Sequence, residues 1–152
     1  MSAASGGAAP VWREEPDREA LAQALAARVA GALRDRLAQA GRASLAVSGG
    51  TTPALFFERL SECVLPWDRV DVTLVDERWA PESSPRSNAG LARTHLLKGR
   101  AAQAAFFALT SDEPTPRQGL ARVEDRLAPL AWPLAVVVLG MGEDGHTASF
   151  FP

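Results

Sequence analysis

The chain has 152 residues, 47% of them hydrophobic, and its 16 Lys and Arg against 18 Asp and Glu leave a net charge of -2. A chain of this size buries roughly 68–70% of its unfolded surface, enough for one core, and the near-neutral charge excludes a general nucleic-acid binder. The single cysteine, Cys63, excludes an internal disulfide and a cysteine-based zinc cluster, and no apolar run reaches the ~20 residues of a membrane span.

The first ten residues, MSAASGGAAP, lack the basic start and apolar stretch of a secretion signal. They read as a loose tail, 1–10, ahead of one α/β domain over 11–152. With Cys63 read as a packing residue, the expected compartment is cytoplasmic. Val11 and Trp12 are expected to form a short first strand. Pro16 then suits a helix start. Leu21, Leu25, Val29, Leu33 and Leu37 recur at four-residue spacing and form one apolar helix face, ended by Gly41.

A short apolar strand is expected at Ala43–Val47. Ser48, Gly49, Gly50, Thr51, Thr52 and Pro53 follow, then a helical run with Leu55, Phe56, Phe57 and Leu60. The first N–H groups of a helix have no internal partners, and its dipole favours an anion there by about 0.3–1 kcal/mol. Gly49 and Gly50 let an anion approach the backbone, and Ser48, Thr51 and Thr52 add hydroxyls. The GxxxxGK[ST] spacing and its Lys are absent, so this is a smaller phosphate cradle than a nucleotide loop.

The next strand, 70–75, delivers Asp76, Glu77, Arg78, Trp79, Ala80 and Pro81. Three adjacent charges after a buried strand need partners. The planar fork of Arg78 suits a phosphate or carboxylate, and Asp76 and Glu77 can orient Arg78 or a catalytic ring. After a loop at 82–86, Ser87 caps a helix expected to run to Lys98, the sole lysine, and to end at Gly99. Leu91, Leu96 and Leu97 are its core residues. Asn88 lies near its amino end, within reach of a ligand, and His95 reads as a surface or packing residue.

A strand is expected at 104–109. Leu120, Val123 and Leu127 mark another amphipathic helix, and Pro129 and Pro133 break the chain before an apolar strand at 134–139. The alternation of strands and helices predicts a parallel sheet with helices on its faces. Right-handed crossovers bring the three polar stretches to one edge.

The third of these stretches is LGMGEDGHTASFFP, residues 139–152. Gly140, Gly142 and Gly145 form a sharp turn, with Asp144 and His146 around the third glycine. The turn presents one imidazole, the side chain whose charge changes nearest neutral pH, at the strand end where open α/β sheets bind ligands. Asp144 and His146 without a clear third ligand make a poor metal site, so no metal is expected.

Three segments, VSGGTTP at 47–53, VDERWAPESSPRSN at 75–88 with the ensuing LARTHLL, and LGMGEDGHTASFFP, resemble the 6-phosphogluconolactonases in order and separation. Those enzymes belong with the glucosamine-6-phosphate isomerases and deaminases. The resemblance implies a Rossmann-like α/β fold, mostly parallel, with helices on both faces of the sheet. It implies hydrolysis of 6-phospho-D-glucono-1,5-lactone to 6-phospho-D-gluconate in the oxidative pentose phosphate pathway, with no cofactor. The implied partner is a phosphorylated sugar lactone, with no nucleic acid or membrane, and the protein is expected as a monomer or small homo-oligomer. Family members run on well past the last motif, so the domain is expected to be incomplete at its carboxyl end.

Within that frame His146 is expected to take a proton from attacking water and return it to the ring oxygen. Asp144 or Asp76 would orient the ring, and a helix after His146 would disfavour the imidazolium. Backbone N–H groups near Gly142 and Gly145 would meet the oxyanion. Ser48, Gly49, Gly50, Thr51, Thr52 and Arg78, helped by Arg86, would hold the phosphate, and Glu77, Asn88, Gly142 and Gly145 would line the rest of the pocket. Two alternatives stay open: an enzyme like the glucosamine-6-phosphate isomerases and deaminases, whose similar turn runs on as IAFNEP rather than TASFFP, and a non-catalytic sugar-phosphate-binding module. A serine hydrolase using Ser48 is disfavoured by the missing GxSxG elbow.

Overall fold

The structure is a computed structural model that describes residues 9–152. Most of the expected tail, residues 1–8, lies outside the described residues. Val11 and Trp12 are exposed and form no strand. Among the described residues no strand lies beside them, and the Trp12 indole N–H donates to Glu14 at 2.9 Å.

Helix α1 (Arg18–Ala40) begins one residue beyond Asp17, whose carboxylate accepts from the Ala20 N–H at 2.8 Å. Gly41, with φ of 75°, closes the helix by donating to the Leu37 carbonyl; the left-handed conformation suits glycine. The buried face is Ala22, Ala26, Val29, Ala30 and Leu33. Leu21, expected in the apolar stripe, is 48% exposed. Each four-residue step overshoots a full helical turn by about 40°. The row of leucines therefore winds round the helix, and its first member leaves the interface.

Strand β1 (Ala43–Val47) is buried along its whole length and leads through the glycine turn into α2 (Pro53–Ser61). Strand β2 (Val70–Leu74) is equally buried. Helix α3 (Asn88–His95) starts at the expected Ser87 cap but stops three residues before Lys98. The Leu96 and Leu97 N–H groups both turn back to the Ala92 carbonyl, and Gly99 opens a short 3-10 turn rather than closing the helix. Strand β3 (Ala105–Phe107), helix α4 (Pro116–Leu127) and strand β4 (Val136–Val138) complete the described elements. In α4 the inner positions belong to Gly119 and Val123, and Leu120 is 55% exposed.

All strand pairs are parallel, in the order β3-β2-β1-β4, with Leu45 opposite both Val72 and Val136. This is the parallel sheet that the alternation predicts and the Rossmann-like α/β fold that the resemblance implies. The core joins Leu33, Leu45, Val47, Phe57, Leu60, Trp67, Val72 and Leu96. At the amino end of the sheet lies the buried Asp71 carboxylate. It is paired with Arg42 and accepts from the Ala131 N–H at 2.9 Å. That carboxylate ties β1, β2 and the approach to β4 together. Among the described residues no helix is long and apolar enough to cross a membrane.

The chain leaves β1 towards β2 and β3 on one side, while β4 returns on the other. The strand order therefore reverses between β1 and β4. Such a switch point opens a crevice at the carboxyl ends of the strands, where ligands bind in open α/β sheets.

Candidate active site

Three loops meet at that crevice. The loop after β1 is tied to β4 by Ser48, whose hydroxyl donates to the Val138 carbonyl at 2.9 Å. A β-carbon on Gly49 would stand 1.7 Å from Asn88 Oδ1, so only glycine fits between the cradle and α3. Thr52 precedes α2 without a side-chain capping bond, which leaves the first-turn N–H groups without that internal acceptor.

The loop after β2 is held by Asn88, which is 4% exposed. The Asn88 amide donates to the Asp76 carbonyl at 3.0 Å and to Asp76 Oδ1 at 3.4 Å. Its oxygen accepts from Arg78 Nη1 at 2.9 Å. Arg78 Nη1 also donates to the Arg86 carbonyl at 3.0 Å. Glu77 faces the start of α3, accepting from the Asn88 and Ala89 N–H groups at 2.8 and 2.7 Å and from the Ser87 hydroxyl at 3.1 Å. An acid at a helix start satisfies orphan amides and the dipole together.

The loop after β4 carries the imidazole. His146 Nδ1 is hydrogen-bonded to Asp144 Oδ1, which also accepts from the His146 backbone N–H at 3.1 Å. A carboxylate accepts only, so Nδ1 carries a proton, and in the neutral ring Nε2 holds the lone pair. The ring stacks on Phe151 with centroids 4.9 Å apart. The hydrogen bond from the His146 ring, then the one from the His146 N–H, hold the Asp144 carboxyl below the usual carboxylate range.

A cavity of about 430 Å³ joins these loops. Ser48, Gly49, Gly50, Thr51 and Thr52 line one side, Asp76, Arg78 and Asn88 a second, and Gly142 and His146 a third. Leu21, Leu25, Phe56 and Val138 form its apolar wall.

Residues 16–152 match the glucosamine-6-phosphate isomerases/6-phosphogluconolactonase family. The chain belongs to that family. It is 54% identical over 146 residues to the 6-phosphogluconolactonase of Mesorhizobium japonicum, covering 96% of this chain and 61% of that one. It is 49% identical over 142 residues to the one from Pseudomonas aeruginosa, covering 93% and 58%. The crystal structure of a 6-phosphogluconolactonase from Shewanella baltica superposes with a TM-score of 0.86 at 43% identity, over 90% of this chain and 58% of that one. A monomeric glucosamine-6-phosphate deaminase superposes with a TM-score of 0.69 at 18% identity, over 86% of this chain and 55% of that one, which shows a common fold. The chain spans 58–61% of the length of the two curated relatives.

Against this family fold, several sequence expectations change. Glu77 and Arg86 lie off the cavity wall: Glu77 is spent on α3, and Arg86 offers its carbonyl to Arg78. Asp144 and Gly145 are also off the wall, Asp144 standing behind the ring. The Asp76 carboxylate is bonded to Asn88 and to the Ser149 hydroxyl at 2.7 Å, not to His146. Within residues 147–152 there is no helix; Thr147 and Phe150 exchange backbone hydrogen bonds in a tight turn. The expected oxyanion amides are engaged, Gly142 donating to the His146 carbonyl at 2.8 Å and Gly145 to the Gly142 carbonyl at 2.9 Å.

A charged cavity residue escaped the sequence reading. Arg18, in the first turn of α1, lines the cavity beside Leu21. A cation at a helix start is unfavourable to the dipole, and that misfit was the available signal. Among the described residues no three His, Cys, Asp or Glu side chains are arranged to hold a metal ion.

Proposed function

We propose that the complete protein hydrolyses 6-phospho-D-glucono-1,5-lactone to 6-phospho-D-gluconate, as a cytoplasmic enzyme of the oxidative pentose phosphate pathway that uses no cofactor. One observation carries this reading. The His146 ring, with Asp144 on Nδ1, opens onto the same cavity as the glycine cradle and Arg78. A phosphorylated ester bound there would meet both a base and an anion site.

His146 Nε2 takes a proton from water as the water oxygen attacks the lactone C1. The resulting alkoxide collapses, the bond from C1 to the ring oxygen breaks, and the imidazolium returns the proton to that oxygen. Asp144 holds the ring tautomer and balances the transient imidazolium. Arg78 and the amides of the Ser48–Thr52 segment hold the phosphate away from the reacting carbon. Oxyanion stabilisation falls to groups other than the Gly142 and Gly145 amides, which the turn already uses.

The named relatives favour the lactonase over the deaminase reading, and so does the TASFFP continuation, which lacks the Asn-Glu pair of the deaminase turn. The test is opening of fresh 6-phosphogluconolactone, measured above its spontaneous rate on this chain and on one of the relatives' length. Acceleration by the longer chain supports the reading. Ammonia release from glucosamine 6-phosphate without lactone opening would replace it, and binding of 6-phosphogluconate without turnover by either chain would reduce it to a binding module.

A further inference from the structure

We infer that Trp79 is a positioning residue for Arg78, seated on helix α4 at Gly119. The inference rests on the phosphate-binding role proposed for Arg78. Residues 75–87 contain no helix or strand, yet they must present a guanidinium to the cavity. The two neighbours of Arg78 in the chain are anchored on different elements. Glu77 is pinned to α3 by the bonds described above, and its Oε1 also accepts from the Arg78 N–H at 2.8 Å.

Trp79 turns the other way, into a second hollow of about 730 Å³ between the loop, β3 and α4. Its indole N–H donates to the Glu113 carbonyl at 2.8 Å. Its ring lies against Gly119, where a β-carbon would stand 2.4 Å from Cη2 and 2.5 Å from Cζ2. The same β-carbon would meet Ser111 Oγ at 2.4 Å. The seat is itself braced, since Thr115 caps α4 and Glu113 pairs with Arg122 at 3.0 Å. Arg78 thus faces one hollow and Trp79 the other. The pair works as a lever whose tryptophan arm is fixed. Without that arm, the Arg78 guanidinium keeps its bonds to Asn88 and the Arg86 carbonyl, on a loop that has lost its tryptophan seat on α4.

The test is calorimetric titration of 6-phosphogluconate into protein of the relatives' length, as wild type, Trp79→Phe, Trp79→Ala, Arg78→Ala and the double variant. Trp79→Ala is expected to weaken binding about tenfold, and Trp79→Phe, which keeps a ring on Gly119, by no more than about threefold. In the Arg78→Ala background the tryptophan substitution should add nothing, because residues acting through one another are not additive. Trp79→Leu keeps an apolar side chain in the hollow and carries the same cycle if Trp79→Ala does not fold. Unchanged affinity in the tryptophan variants, or the full loss repeated without Arg78, overturns the inference while leaving the proposed function standing. Wild-type protein of the relatives' length that binds no 6-phosphogluconate overturns the phosphate reading and this inference with it.

Discussion

The His146 ring lies hard against the Gly142 backbone: a β-carbon on residue 142 would stand 2.2 Å from Cε1 and 2.3 Å from Nδ1. Glycine is therefore the residue that lets the imidazole reach Asp144. Gly142→Ala is expected to push the ring aside while the phosphate cradle stays in place. A displacement near 1 Å can cost roughly 100-fold in rate, so kcat should fall by about that factor with KM little changed. Steady-state kinetics on the lactone check this; a wild-type kcat would show that the ring's place does not matter.

Removing the two charged actors should split the kinetic parameters. His146→Ala is expected to lower kcat by roughly 10²–10⁴. Arg78→Ala removes binding common to ground and transition states, so it should chiefly raise KM. Parallel effects of both substitutions on kcat and KM would contradict these roles.

Gly49→Ala tests the joint between cradle and loop. The new methyl would overlap Asn88 Oδ1, 1.7 Å away, and force the buried amide off Arg78 and Asp76. A buried amide left without partners costs about 1–3 kcal/mol. Urea unfolding should show a loss of that size, together with a raised KM. An unchanged KM would mean that Asn88 does not govern Arg78.

The acid side of the pH range has a definite sign. Asp144 is held below its usual value of 3.8 by hydrogen bonds from the His146 ring and N–H. A depressed folded-state pKa means that the carboxylate's contribution is fully present above the unfolded value and disappears as pH falls through the folded one. Glu58 is held below its usual 4.5 by the hydrogen bond from His95 and the Lys98 charge, and follows the same rule between α2 and α3. The Asp144 contribution to stability should therefore persist at every pH above the ordinary carboxylate range. The difference in stability between wild type and Asp144→Asn, from urea unfolding between pH 5 and pH 8, should not shrink at the acid end. A difference lost by pH 5 would refute this.

Asp71 should matter for stability alone. Its carboxylate is buried between Arg42 and the Ala131 N–H, at the end of the sheet away from the cavity. Asp71→Ala strands that N–H and is expected to cost about 2–3 kcal/mol. Denaturant titration measures the loss, and kcat and KM of the folded variant should equal those of the wild type.

The sequence carried the order of elements well, because the alternation of apolar runs and punctuating Gly and Pro is a local signal. Strand β1 lies where its five apolar and small residues place it, and Ser87 caps α3. What failed depended on partners that no local pattern names. Glu77 reads as a pocket residue, but the orphan amides of α3 take its carboxylate, which touches Arg78 only at the backbone N–H. Gly142 and Gly145 read as open amides, but the turn folds them back on itself. Val11 and Trp12 have strand-forming side chains, but no strand pairs with them among the described residues. Arg18 lies thirty residues ahead of the cradle, and only the packing of α1 brings it to the cavity.

Because all four strands run the same way, the links from helix back to strand collect at the end remote from the chemistry. Lys98, the sole lysine, is exposed on the link between α3 and β3. A dye coupled to that amine would report rotation, and an amine-reactive support joined there would hold the molecule with the substrate mouth facing outward.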